Sequence, residues 1–210
     1  MRLELLFQFL FFLPMMLMSL TVHEVAHGWI AYHYGDPTAK LMGRLRLNPI
    51  AHIDPFGTIF LPVLLILVGA VPLGWAKPVP VNFSNLRNPK RQIIWVAAAG
   101  PLANLTLATG LGCLIHLPWL WSHPLLVEIL TFWAYMNIGL AVFNILPIPP
   151  LDGSRILLGL LPPEGIRIYA RLESFGFLII LLLWWTGFFS KILFPVIQLV
   201  AAFLRLPLPA

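Results

Sequence analysis

The sequence predicts an all-α polytopic membrane protein of about five to six transmembrane or re-entrant helical segments, with a short extended strand or loop region near a candidate active site. Three observations carry this prediction. Of 210 residues, 60% are hydrophobic and 10% charged, with a mean hydropathy of +0.89, the composition of a chain whose solvent is lipid. Apolar runs long enough to cross a hydrocarbon core of about 30 Å recur along the chain. Finally, ten of the thirteen Lys and Arg fall in the segments 36–54, 75–92 and 153–173, while 117–124 has none. By the positive-inside rule these three segments face the cytoplasm of a multi-pass cell-membrane protein. Topology thus accounts for the net charge of +5, and no aromatic-studded basic stripe points to nucleic acid.

Each element follows in order. Leu5 to about Tyr34 makes the first span, since Gln8, Ser19 and Thr21 are the only polar side chains between Leu5 and Val22. It resembles a signal peptide only superficially. Its basic region is the single Arg2, and no small-residue cleavage site follows, so it reads as a retained span. Residues 35–54 form a loop. Residues 55–74 are apolar but contain Pro62, Gly69 and Pro72. The spans at 93–117 and 125–146 go out and return, so parity requires 55–74 to dip in and leave on the same face or to be a broken pair of short segments. Such a segment must be covered by protein or line a wet cavity. A proline-rich turn occupies 147–153. The run 174–204 holds either one long tilted helix or a hairpin broken near Gly187 and Lys191, and the part after Lys191 is short for a crossing of its own. Cys113, the single cysteine, excludes a disulfide framework and a thiolate metal site, and reads as a small core residue. Residues 1–210 form one domain, with a catalytic core over about 5–160 and C-terminal helical segment(s) at 174–204.

The chemistry concentrates at residues 23–27, HEVAH. Ionisable groups at bilayer depth cost about 2.5–3.5 kcal/mol each on insertion scales, so each needs a functional reason. His23 and His27, four apart, project from one helix face and can bind one cation. Glu24 lies one step round, where a carboxylate can take a proton from metal-bound water. No Lys or Arg between Arg2 and Lys40 offers Glu24 a local ion-pair partner.

A catalytic zinc takes three protein ligands and a water. His33 has tempting spacing, but the extended motif that uses it needs glycine at position 30, where this chain has Ile30. Asp36 sits in a Gly-Asp-Pro turn and suits turn formation. His52 and Asp54 suit either the site entrance or a loop cap. Glu128 opens a span at the opposite face. Asp152, in NILPIPPLDGSR, follows a span that returns to the histidines' side, where prolines deny the backbone a regular helix. Asp152 also suits the cap of a helix starting near Gly153, and on spacing and topology both readings stand.

HEVAH at 23–27, NPIAHIDPFGT at 48–58, GWAKPVPVN at 74–82, AAGPLANLTLA at 98–108 and NILPIPPLDG at 144–153 together resemble the site-2 protease family of intramembrane zinc metalloproteases. The resemblance is to small bacterial-type members without a PDZ or CBS domain. It implies that His23, His27 and Asp152 hold one zinc ion and that Glu24 is the catalytic base. It also implies that Asn144 helps hold substrate or the oxyanion. Gly100 and Asn104 mark close helix packing and read as structural. The family pattern suggests that GWAKPVPVN pairs with substrate as an added strand; an interfacial loop anchored by Trp75 fits the residues equally. The implied partners are a transmembrane protein substrate and the bilayer, with the active site toward the cytoplasmic side. Two rivals are a catalytically silent helix-binding relative and a membrane metal transporter. The intact Glu24 counts against the first. The second lacks further polar residues across the outer half beyond His116 and His123.

Overall fold

The computed structural model describes residues 2–69 and 74–208. Helix α1 spans Arg2–His33, and α2 is a single turn at Thr38–Leu41. After a 3-10 turn at Pro49–His52, a π-helical turn at Pro55–Phe60 leads into α3, Leu61–Val68. Residues 74–82 carry no regular helix, a 3-10 turn follows at Phe83–Asn85, and the chain then enters α4, Pro89–Ile115, and returns through α5, Pro124–Asn144. Two amphipathic helices follow the proline turn, α6 at Asp152–Leu160 and α7 at Pro163–Glu173. The C-terminal pair is α8, Gly176–Trp185, and α9, Phe194–Phe203.

Among the described residues, three helices are long and apolar enough to span a membrane: α1, α4 and α5. Helices α8 and α9 are bent by 76° at their break. The break falls where the sequence has Gly187, at φ +72°, followed by a π-helical turn at Phe189–Leu193. Pro55–Val68 is apolar but short; at 1.5 Å per residue it reaches only about 21 Å, less than a crossing needs. The Trp75 N–H donates to the Gly57 carbonyl at 3.1 Å and the Lys77 N–H to the His52 carbonyl at 2.9 Å. The chain therefore leaves the dip beside the point where it entered, as parity required. The rest of the expected return, residues 70–73 including Pro72, lies outside the described residues.

Helix α4 is the centre of the fold, packed by α1, α5 and α6. Its buried face runs Ala97, Gly100, Pro101, Asn104, Ala108, Leu111, Gly112, Ile115, at helical spacing and mostly small, so neighbouring backbones come close. At one end Ala108, Leu111 and Ile115 meet Ala134 and Ile138 of α5 and Ala201 and Leu206 of the C-terminal segment. At the other end Val96 packs with Ala31 and Leu86. One expectation needs correction. Cys113 is exposed rather than in the core, because α4 turns residues 108, 111, 112 and 115 inward and 113 away from them. Residues 75–82 form the expected strand-or-loop segment near the site, with no helix and, among the described residues, no β-ladder.

Candidate metal centre

Four buried residues of α1 spaced four apart, Ser19, His23, His27 and Ala31, form the stripe that faces α4. The two imidazoles meet edge to face, with ring centroids 4.7 Å apart. Each is fixed from behind. His23 Nδ1 lies 2.6 Å from Asn104 Oδ1, and His27 Nδ1 lies 2.7 Å from the Val96 carbonyl oxygen.

The hydrogen-bond network sets the direction of both bonds. The Asn104 amide nitrogen donates to the Ser19 carbonyl at 3.2 Å and to Asn137 Oδ1 at 2.8 Å. Its own oxygen is thereby left as an acceptor. The Val96 carbonyl can only accept. Each imidazole therefore carries a proton on Nδ1, and its neutral form offers the Nε2 lone pair to the site. The network continues away from the site. Asn137 donates to Ser19 Oγ at 2.9 Å, the Trp133 indole N–H donates to the same oxygen at 2.8 Å, and Ser19 passes its proton to the Met15 carbonyl at 2.8 Å. A fully connected polar chain of this kind holds its members in one geometry.

Asp152, the first residue of α6, comes from the far side. Its Oδ2 lies 3.0 Å from His23 Nε2 and 3.3 Å from His27 Nε2, and it is buried without a hydrogen-bond partner. Asp152 does not cap α6, whose cap position is Leu151 with no side-chain bond. Three potential ligand atoms thus lie within 4.8 Å of one another, a set that one cation can bridge. A tetrahedral zinc site with bonds of about 2.0–2.2 Å sets its ligand atoms about 3.3–3.6 Å apart, and the two His–Asp152 separations, 3.0 and 3.3 Å, lie close to that spacing. Gly100 completes the fit. A Cβ there would lie 2.4 Å from His27 Nε2 and 2.6 Å from His23 Nε2, so only glycine leaves the metal-facing nitrogens clear.

The histidine pair and Asp152 open onto a cavity of about 360 Å³ that Glu24, Asn144 and Arg155 also line. Glu24 Oε2 accepts from the Val79 N–H at 2.8 Å. The Asn144 amide donates to the Leu140 carbonyl at 2.9 Å, a helix-end bond, while its side chain still borders the cavity. Among the described residues the other candidates lie outside this cluster. His33 is exposed, with Nδ1 on the Trp29 carbonyl. Asp36 ties the first turn to residues 82–85, accepting from Asn82 N–H and Asn85 Nδ2. His52 is buried, with Nε2 on the Arg46 carbonyl. Asp54 caps the π-helical turn through the Phe56 and Gly57 N–H groups; the bond from Gly57 leads in holding its carboxyl below the usual range. Glu128 sits near the start of α5, with most of that membrane-length helix between it and Asp152.

Sequence reasoning assigned Asn104 to packing and passed over Asn137, Ser19 and Trp133. The signal was present. Asn104 and Asn137 are lone amides inside apolar helices, and the rule that marks HEVAH as functional applies to them equally.

The description Peptidase family M50 matches residues 11–120 and 120–186. A Bacillus subtilis (strain 168) protein named "Putative zinc metalloprotease YwhC" is 42% identical over 191 residues, covering 87% of this chain and 84% of its own length. The Rip2 protein of Mycolicibacterium smegmatis, described in the same terms, is 36% identical over 168 residues, covering 80% of this chain and 63% of its own. A Mycobacterium tuberculosis Rip2 (strain H37Rv) is 34% identical over 167 residues with the same two coverages. The chain thus spans less than two thirds of the Rip2 proteins. No solved structure matches it.

Proposed function

The chain belongs to peptidase family M50 and is an intramembrane zinc metalloprotease; from that premise we propose that it cuts transmembrane protein substrates at or near the cytoplasmic face of the cell membrane. His23, His27 and Asp152 hold the zinc, Glu24 is the general base, and Asn144 assists substrate. The observation that carries this reading is the convergence of two imidazole nitrogens and one unpartnered carboxylate oxygen on a glycine-walled space.

Zinc bound there supplies Lewis acidity toward a peptide carbonyl and makes a water acidic enough to ionise near neutral pH. The remaining steps belong to the protein. Glu24 accepts a proton from the attacking water as its oxygen bonds to the carbonyl carbon, then returns that proton to the leaving nitrogen as the C–N bond breaks. The Asn144 amide, released from Leu140, can donate to the oxygen that gains charge without adding a second buried ion. Asn104 and the Val96 carbonyl hold the imidazoles in the tautomer that binds metal. Basic segments flank the cavity side of the molecule and mark it as cytoplasmic.

The test is Glu24→Gln in purified protein with a model transmembrane substrate. Zinc content stays at the wild-type level, while cleavage falls by at least the roughly 10²–10⁴-fold that general acid–base catalysis contributes. Undiminished cleavage by the variant would refute the assignment. A metal transporter is not favoured: among the described residues, His23, His27 and Asp152 are the one group of side chains placed to hold a metal ion, and no second station follows them across the bilayer.

A further inference from the structure

On the reading that Glu24 is the base, we infer that Val79 is a positioning residue whose backbone N–H fixes the Glu24 carboxylate, and that residues 75–79 form a rigid strap built to deliver it. The resemblance assigned this segment to substrate pairing or to the interface. Its hydrogen bonds give it a further task.

Successive odd-numbered amides of the strap turn toward the protein. The Trp75 N–H goes to the Gly57 carbonyl at 3.1 Å, the Lys77 N–H to the His52 carbonyl at 2.9 Å, and the Val79 N–H to Glu24 Oε2 at 2.8 Å. Pro78 and Pro80 flank the last donor and have no N–H of their own. Between Lys77 and Val81 the strap therefore has a single amide proton, and the carboxylate receives it. The prolines also keep the backbone extended and narrow the conformations it can leave for.

Other contacts hold the strap in place. The Thr58 hydroxyl donates to the Trp75 carbonyl at 2.8 Å, and the Arg44 guanidinium donates to the Lys77 carbonyl at 3.0 Å and to the Ala51 carbonyl. Val79 is buried, at 6% exposure. Its isopropyl group fits only because residue 28, one helical turn beyond Glu24, is glycine. A Cβ on Gly28 would lie 2.7 Å from Val79 Cγ1. A charge-assisted bond from a backbone held at both ends is short and directional. It holds one carboxylate oxygen and leaves the other to work on water in the cavity. Removing it misplaces the base without touching a metal ligand, and small misplacements of catalytic groups cost orders of magnitude in rate.

Val79→Pro deletes this proton and extends an existing proline run, while Val79→Ala keeps it. On a model transmembrane substrate, Val79→Pro is expected to lower kcat by about ten- to a hundredfold. KM should stay within about threefold and zinc stoichiometry should be unchanged. Val79→Ala should recover most of the lost turnover. Wild-type kcat in Val79→Pro, equal losses in both variants, or activity that simply tracks lost zinc would each overturn the inference. A second measurement does not depend on how the proline variant folds. Across residues 78–80 Val79 carries the single exchangeable amide, so hydrogen exchange there reads this bond directly. In Glu24→Ala that amide should exchange at least about tenfold faster than in wild type; unchanged exchange overturns the inference. The Glu24→Gln cleavage assay separates the two levels. Normal cutting by that variant removes the base assignment itself, whereas a silent Glu24→Gln beside a fully active Val79→Pro removes only the role of the amide.

Discussion

Gly100→Ala is the sharpest test of the metal centre, because it adds one methyl group at a place where the structure leaves no room. The new Cβ would lie 2.4 Å from His27 Nε2 and 2.6 Å from both Cε1 and Nε2 of His23. Ordinary carbon contacts begin near 3.5 Å, so the rings or α4 must retreat by about 1 Å. The rings cannot pivot freely, since Asn104 and the Val96 carbonyl hold their Nδ1 atoms. Overpacking of this kind costs about 1–3 kcal/mol. If that cost falls on the metal-bound state, zinc affinity drops by about 5- to 150-fold, at 1.4 kcal/mol per decade. Competition with a chelator of known affinity, on detergent-solubilised protein, measures this without reference to turnover. The same helix provides the control. A Cβ on Gly110 meets nothing within 4 Å, so Gly110→Ala should leave zinc affinity unchanged and add up to about 1 kcal/mol of helix stability. Wild-type zinc affinity in Gly100→Ala would refute the claim that this glycine forms the wall of a cation site.

Asn104→Leu keeps the branched shape, though it is somewhat larger, and can neither accept from His23 nor donate to Ser19 and Asn137; zinc affinity should fall about 10- to 100-fold, with a lower Tm, and the chelator competition with a thermal melt reads both. Asp36 gives a pH dependence outside the spans. Burial alone would raise its carboxyl, but bonds from Thr38, Asn85 and Asn82 outweigh burial and hold it below the ordinary carboxylate range. Because its folded pKa lies below the unfolded one, its contribution is complete above about pH 4 and is lost as pH falls through the folded value. Unfolding measured from pH 7 downward should therefore show a loss below about pH 4 that Asp36→Asn lacks; parallel curves would remove the assignment.

Much of this molecule could be read from the chain because lipid makes polarity conspicuous. HEVAH stands out at bilayer depth, and the return of 125–146 to the starting side places Asp152 opposite it. The same parity argument anticipated the short dip, and Gly187 marked the break between α8 and α9. What escaped the sequence depends on facing directions that no single motif encodes. Asn104 looked like packing because it sits in a run of small residues, and only the position of α1 shows that its oxygen meets His23. Cys113 looked internal because its run is apolar throughout, yet in a membrane the apolar exterior and the core have the same composition. The ligand-versus-cap ambiguity at Asp152 turns on tertiary structure: its Oδ2 lies beside both imidazoles, while Leu151 takes the cap position of α6.

The dip and the strap are a single constraint seen from two sides. Had residues 55–74 crossed the bilayer, Trp75 would emerge about 30 Å from where Pro55 entered, and no five-residue strap could bring Val79 back to Glu24. Instead α3 is too short to cross, the chain closes on itself through Gly57 and His52, and the next donor along the strap falls on the carboxylate. The basic segments on either side of the dip then share a face for a mechanical reason as well as a topological one. Their common side is where the strap must start if it is to reach the site. A topology that looks like a failed crossing is thus what allows a backbone amide from residue 79 to meet a side chain from residue 24.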